Sequence, residues 1–445
     1  MRSPLTIRST GALLLASSLA ACTSGSGGTG AGPQPAVRSS PSTTPIQHVV
    51  VIIQENRTLD NLFQGFPNAN TQSYGLGFGG KIIVLKPTKL AIRWDLGHTH
   101  GAFESGYDNG SLEGWDGESC TRAKCPPNAP YSYVRRADIQ QYWTMASSYA
   151  LADDAFQSNQ GPSFPAHQYA VSGTSTIMDG SKYKASENPG GHKGMNGGCT
   201  TNSLVPVIGP NGHEHKKVDS CFVRTSIFTL LDNASLSWHY YQSGGGSGIW
   251  KAVNALKPIW SNTPEYRKDV ITNPAQVITD VQNGYLSAVT FVTPTLAASD
   301  HAGDTDGTGP AWVASVVNAI GESTFWGSTA IFITWDDWGG WYDHVVPPIY
   351  NSYELSFRVP LIVISPYARA GYVSHAQHEN FGSVLHYTEE VFNLPSMNTT
   401  DARADDLSDM FNYGQTPIKF VPIQGSRPAS YWNAQAQNDS GEFDD

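Results

Sequence analysis

The sequence predicts an α/β protein organised on a mostly parallel sheet with both faces covered. Three stretches carry that prediction. Residues 48–53 read His-Val-Val-Val-Ile-Ile, residues 328–335 read Ser-Thr-Ala-Ile-Phe-Ile-Thr-Trp, and residues 358–365 read Arg-Val-Pro-Leu-Ile-Val-Ile-Ser. Each is an apolar run rich in β-branched residues. A strand with one wet face alternates apolar and polar, whereas a strand covered by helices on both sides does not.

In open α/β sheets the chemistry gathers just past the carboxyl ends of the strands. The first run ends in Glu55 and Asn56, and the second in Asp336 and Asp337, followed by Trp338-Gly339-Gly340. A carboxylate beside a carboxamide offers hard oxygen ligands to a divalent cation. Two adjacent carboxylates repel each other unless a cation lies between them. A plainer reading of the first pair has Asn56 and Thr58 capping a helix and Glu55 solvated in its first turn. Both readings stand at this point.

Composition narrows the function classes. The chain has 445 residues, 39% hydrophobic and only 15% charged, with 12 Trp and 20 Tyr for a large core and an aromatic cleft. That length holds two or three average domains, or one large α/β unit. The net charge of −11 argues against a nucleic-acid partner held by bulk electrostatics. Anionic substrates stay open, because a bound cation inverts the local field.

The amino terminus addresses the compartment. Arg2 and Arg8, a short apolar middle and small residues before Cys22 make residues 1–21 a secretory signal too short to span a membrane stably. The Leu19-Ala20-Ala21-Cys22 ending resembles a bacterial lipobox, which would place a lipid on Cys22; the alternative is an ordinary signal with an incidental cysteine. Residues 22–45, rich in Gly, Ser and Pro, read as a flexible tether. Losing the two signal arginines takes the charge from −11 to −13. The expected location is the bacterial cell envelope, in the periplasm or on the surface, with the membrane reached through the lipid anchor. Export permits disulfides, and Cys120–Cys125 and Cys199–Cys221 are the expected pairs, each stapling one loop. A zinc site competes, but the spacings fit no usual zinc knuckle.

In chain order, residues 81–85 suit a short strand. Residues 94–115, with His98 and His100, read as surface loop. Residues 138–153 read as one helix capped by Asp138, with Tyr142, Met145, Tyr149 and Ala152 at helical spacing. Ser163 sits in Gly161-Pro162-Ser163-Phe164-Pro165, and a helix is expected from about His167. A hydroxyl at a helix amino terminus faces N–H groups and the positive dipole end, a good place for an attacked phosphate; a simple cap is the commoner use of serine there. Residues 182–220 are a long insertion forming a lid or cleft rim. Residues 226–233 suggest a helix, and residues 236–241 a strand carrying His239, which is either a packed core imidazole or a site residue. A strand over residues 288–294 leads through Asp300 and His301 into a helix over 312–320, and residues 380–394 form an amphipathic helix. The folded unit spans 46–425, and residues 426–445 are expected to be a disordered polar tail.

Several blocks together resemble bacterial phosphoesterases, the family of phosphatidylcholine-type phospholipase C and an acid phosphatase branch. They are Gln54-Glu55-Asn56-Arg57-Thr58-Leu59-Asp60, Asp95-Leu96-Gly97-His98, Asn109-Gly110, Gly161-Pro162-Ser163-Phe164-Pro165, Asp300-His301, the run Thr334 through His344, and Arg358-Val359-Pro360. The resemblance implies a three-layer α/β/α sandwich like that of alkaline phosphatase. It implies a nucleophile at Ser163, a divalent metal held by Glu55, Asn56, Asp336 and Asp337, and histidines at His98, His301 and His239 that bind phosphoryl oxygens or protonate the leaving alkoxide. Calcium, iron, manganese and zinc all suit such ligands. The Asp336-Asp337-Trp338 run is closer to the acid phosphatase branch than to the phospholipases. The expected substrate is a phosphate monoester or a phospholipid. A surface lipoprotein that binds phosphorylated ligands without turnover is the rival from another class. A sulfatase-like esterase is a weaker one, because its Cys-x-Pro-x-Arg signature is missing.

Overall fold

The computed structural model describes residues 44–190, 197–199, 203–244 and 248–437. The signal segment, Cys22, all but the last two tether residues and the final eight residues therefore lie outside the described residues. Eight strands make one sheet: β1 (His48–Gln54), β2 (Ala150–Ala152), β3 (Trp238–Tyr241), β4 (Val270–Ile271), β5 (Val289–Val292), β6 (Thr329–Trp335), β7 (Leu361–Ile364) and β8 (Tyr372–Ser374). Their spatial order is β4-β3-β5-β1-β6-β7-β2-β8. β1 lies parallel to both β5 and β6, and only β7 runs against its neighbours. The strand within residues 358–365 begins late because Pro360 has no N–H for the ladder and Arg358 turns its side chain into a buried ion pair.

Both faces of the sheet are covered, which explains why these runs do not alternate. Phe332 and Trp335 on β6 are an odd number of residues apart and point to opposite faces. Trp335 packs edge-on against Tyr142 of helix α3 (Gln140–Ser148), with 5.0 Å between rings. Phe332 packs at the same distance against Tyr387 of a second long helix, Asn380–Phe392. Val49 to Ile53 of β1 are wholly buried between these layers, each stabilising the fold by about 1.5–3 kcal/mol.

Register is what positions the site. Gln54 at the end of β1 is paired with Trp335 at the end of β6, and the Asp336 N–H donates to the Gln54 carbonyl at 3.0 Å. The chain thus leaves two adjacent central strands side by side, at Glu55–Asn56 and Asp336–Asp337. Thr58 caps the short helix α1 (Leu59–Phe63) through the Asn61 N–H, so the capping reading holds for Thr58 alone.

Below these ends lies a buried charge knot. Arg358 donates to both oxygens of Asp343, at 2.9 and 3.0 Å, and lies 3.8 Å from Asp60, which His344 also engages at 2.6 Å. All three of Arg358, Asp343 and Asp60 are buried, and removing one partner of such a pair costs about 3–5 kcal/mol.

Four expectations need correction. Residues 94–115, expected as surface loop, hold helix α2 (His100–Tyr107) and bury His98, His100 and Trp115. The helix expected over 138–153 covers only Gln140–Ser148, and the apolar Ala150–Ala152 becomes strand β2. Asp138 caps nothing, because Arg135 and the Leu90 N–H already engage its carboxylate. The tail is ordered at its start: Ala429–Gln437 is a helix, held by Trp432, which is buried 5.3 Å from the Trp312 ring and donates to Ser315 Oγ. One aromatic residue with a polar tip and a waiting partner outweighed the polar composition. The insertion folds as a three-stranded sheet of Lys184–Ala185, Leu204–Ile208 and Glu214–Asp219, next to a Cys199–Cys221 bond, while Cys120 is bonded to Cys125. Among the described residues, no helix is long and apolar enough to cross a membrane.

Candidate active site

Helix α4 (Ser163–Ser172) begins at Ser163, four residues before the expected start. Pro165 hid that start. A proline within the first helical turn loses no intrahelical hydrogen bond, because the N–H groups there have no partner in the helix anyway. Ser163 is consequently the first residue of α4, and His167 lies one turn later on the same face.

The α4 start meets the two strand ends. Asn56 Nδ2 donates to Ser163 Oγ at 3.1 Å and to Asp337 Oδ2 at 2.9 Å, and lies 3.3 Å from His98 Nε2. The Asn56 N–H donates to Asp336 Oδ1 at 3.1 Å. Ser163 Oγ donates to Asp337 Oδ2 at 3.2 Å and lies 3.5 Å from Glu55 Oε2. His167 Nε2 is 3.1 Å from Glu55 Oε1 and 3.8 Å from Asp336 Oδ2. All these residues are buried. Asn56 adopts φ 57, a left-handed conformation that asparagine tolerates better than most residues. His167 is the site residue that the sequence reading missed; its i, i+4 spacing from Ser163 would have revealed it had the helix been started at Ser163.

The donor set fits a divalent cation. Glu55, His167 and Asp336 offer ligand atoms within 4.8 Å of one another. The Asn56 Oδ1 and Asp336 Oδ2 atoms are buried without hydrogen-bond partners, which is costly unless another group uses their lone pairs. Three buried carboxylates, Glu55, Asp336 and Asp337, linked through Asn56, Ser163 and His167, also need positive charge beyond a single imidazole.

Two further histidines reach the pocket edge. The His98 and His301 rings lie 6.0 Å apart. Each places Nδ1 on a backbone carbonyl, His98 on Leu96 at 2.9 Å and His301 on Ala302 at 2.7 Å. With Nδ1 donating to a carbonyl, each neutral ring carries its proton there, and His98 Nε2 faces Asn56 Nδ2. The Glu118 carboxyl near His98 is pushed up to about 8 by burial, against the opposing pull of His98. Asp300, held by Tyr142 and Trp335, is raised to about 6 by burial, with Arg57 working the other way.

His239 does not join them. It pairs in the sheet with Thr290, level with Val50 of β1, and its Nδ1 contacts Ser287 Oγ at 2.6 Å and Tyr285 OH at 3.1 Å. Four residues of strand separate that level from Gln54, about 13 Å. It is a packed imidazole, lowered in pKa by burial, as the alternative reading of residues 236–241 had it.

A cleft of about 1000 Å³ opens near the start of α4, lined by Thr99, His100, Glu104, Glu187, Asn188 and Glu214 among others. Asn188 Oδ1 accepts from the Phe164 N–H at 2.9 Å, and His100 Nδ1 sits 3.0 Å from the Gln160 carbonyl. The insertion thus forms one wall of a cavity that abuts the start of α4.

The sequence model of the Phosphoesterase family matches residues 46–395, a span that includes every residue of this pocket. The chain belongs to the Phosphoesterase family. This phosphoesterase is 24% identical to Phospholipase C A of Mycobacterium tuberculosis over 460 residues, covering 88% of this chain and 81% of that protein. It is 25% identical to Hemolytic phospholipase C of Pseudomonas aeruginosa over 464 residues, covering 87% of this chain and 60% of that one. A solved structure of a protein in the alkaline phosphatase superfamily from Vibrio parahaemolyticus matches with a TM-score of 0.37 at 8% identity, over 84% of this chain and 71% of that one.

Proposed function

We propose that this phosphoesterase hydrolyses phosphate esters through a phosphoserine on Ser163, with a divalent metal held by Glu55, Asn56, Asp336 and Asp337, joined by His167. The observation that carries the reading is the convergence of Glu55 and Asp337 on the Ser163 hydroxyl at the first turn of α4, with Asp336 beside His167 one turn further along. A bound dication supplies Lewis-acid neutralisation of the phosphoryl charge and lowers the serine pKa. Asn56 Nδ2 orients Ser163 Oγ, and Asp337 Oδ2 accepts its proton as Oγ attacks phosphorus. The bond from phosphorus to the alcohol oxygen breaks, and an imidazolium at His98 or His301 returns a proton to that oxygen. Water then attacks the phosphoserine as the neutral imidazole takes its proton; the bond from phosphorus to Oγ breaks, Asp337 returns its proton to Oγ, and the phosphate product leaves. Positioned donors and acid–base groups of this kind are each worth about a hundredfold in rate.

The substrate reading rests on the relatives, which are named phospholipase C; hydrolysis of a phospholipid to diacylglycerol is accordingly proposed for this chain. A monoester substrate is the second reading, favoured by the cleft near the start of α4, whose lining includes His100, Glu104, Glu187, Asn188 and Glu214 and offers hydrogen-bond partners to a hydrophilic alcohol. We further propose that the protein is exported and anchored by lipid at Cys22. Parallel assays on p-nitrophenyl phosphate and on phosphatidylcholine separate the substrates, and acid quenching during turnover traps phosphate on Ser163. No turnover of either ester by protein loaded with any divalent metal would favour a binding lipoprotein instead.

A further inference from the structure

We propose that the hairpin over residues 74–84 is a membrane-docking element that seats on an anionic lipid bilayer. Its strands, Tyr74–Gly77 and Lys81–Val84, pair antiparallel with Tyr74 opposite Val84 and Leu76 opposite Ile82. Side chains alternate across a hairpin, so Gly75 and Ile83 share one face and Tyr74, Leu76, Ile82 and Val84 the other. The first face is the packed one. Ile83 is buried in a cluster with Trp115, Tyr131, Tyr342 and Trp338, and a Cβ on Gly75 would fall 2.5 Å from the Tyr342 ring.

The second face would be polar if it met only water. Instead Ile82 is 65% exposed, Val84 63% and Tyr74 41%, with Phe78 at the tip 84% exposed. Single exposed apolar residues are ordinary, but a contiguous set marks an interaction surface.

Charge selects the occupant. Residues 73–94 contain Lys81, Lys86, Lys89 and Arg93, and no Asp or Glu, in a chain of net charge −11. All four cations are exposed, and Lys86 follows Val84 by two residues. The neighbouring carboxylates of Asp116 and Glu113 turn to the tip itself, accepting from the Phe78 and Gly80 N–H groups. An apolar tip with a collar of lysines is the composition that inserts among acyl chains while its cations meet anionic headgroups. The packed face rests on the aromatic cluster that includes Trp338, the residue after Asp337, so docking would bring the bilayer to the side of the molecule that carries the site.

The test is vesicle flotation of the full chain carrying Cys22→Ser, which removes any lipid anchor and gives every sample the same amino terminus. The vesicles are phosphatidylcholine alone or phosphatidylcholine mixed with phosphatidylglycerol. The unsubstituted hairpin should float with the mixed vesicles. Phe78→Ser with Ile82→Ser should weaken partitioning about a hundredfold, about tenfold for each apolar side chain. Lys81→Glu with Lys86→Glu should weaken it about tenfold or more on the mixed vesicles and little on phosphatidylcholine alone. All variants should keep the parent's unfolding midpoint and its turnover of soluble p-nitrophenyl phosphate. A loss of that turnover in the parent would sink the catalytic reading while leaving docking to be decided by flotation. Docking is overturned by equal flotation of parent and variants, by no flotation of the parent, by a lower unfolding midpoint in the serine variant, or by a sedimenting dimer that the serine variant breaks.

Discussion

Gly339 sits in the turn after the paired aspartates and is the sharpest mechanical test of the site. Its φ is 62, and an added Cβ would lie 2.3 Å from the Asn56 carbonyl oxygen and 2.7 Å from Asn56 Cβ. Gly339→Ala therefore imposes two costs. The left-handed backbone costs about 1–2 kcal/mol, and Asn56 must retreat by about 1 Å to restore van der Waals distance. Asn56 orients Ser163 and braces Asp336 and Asp337, and a displacement of that size in a reacting geometry costs about a hundredfold in rate. Gly65 is the matched control: its φ is 76, and a Cβ there meets nothing within 4 Å. Gly65→Ala should lose about the same backbone stability in urea unfolding and keep full turnover of p-nitrophenyl phosphate. A kcat/KM for Gly339→Ala within about threefold of the parent, or an equal loss of activity in Gly65→Ala, would refute this coupling of the turn to the site.

Two further outcomes follow from the pocket. His167→Ala removes the imidazole 3.1 Å from Glu55 and should weaken divalent-metal retention about ten- to a hundredfold in equilibrium dialysis; unchanged retention would remove His167 from the site. Asp300 has its carboxyl raised to about 6 by burial, against about 3.9 when unfolded. Its contribution is fully present below about pH 4 and lost as pH rises through about 6, because the unfolded chain releases that proton first. Relative to Asp300→Asn, the parent should lose up to about 3 kcal/mol between those limits, read from urea unfolding at each pH; parallel curves would contradict it.

Much of the sheet was legible because burial on both faces leaves a signature in composition: β1, β5 and β6 appear where apolar runs stand. The antiparallel sense of β7 was not legible, since an apolar run carries no direction. The meeting of Ser163 with the two strand-end pairs was legible from residue types that are costly to bury without a partner. His167 was hidden by Pro165, which reads as a helix breaker although its place in the first turn makes it harmless. His239 failed in the opposite way. The sequence gives its residue type but not its height along β3, and register alone puts it at the level of Val50 rather than Gln54. The tail helix was missed because Trp432 finds its partners, Trp312 and Ser315, more than a hundred residues away in sequence.

The proposed mechanism divides the labour: carboxylates hold a metal, and a hydroxyl takes the phosphoryl group. Ser163→Ala separates the two. Metal content and turnover, measured on the same preparation, should be equal to the parent in the first and lower by at least about a hundredfold in the second. Turnover that survives the substitution, or metal lost along with it, would contradict the account.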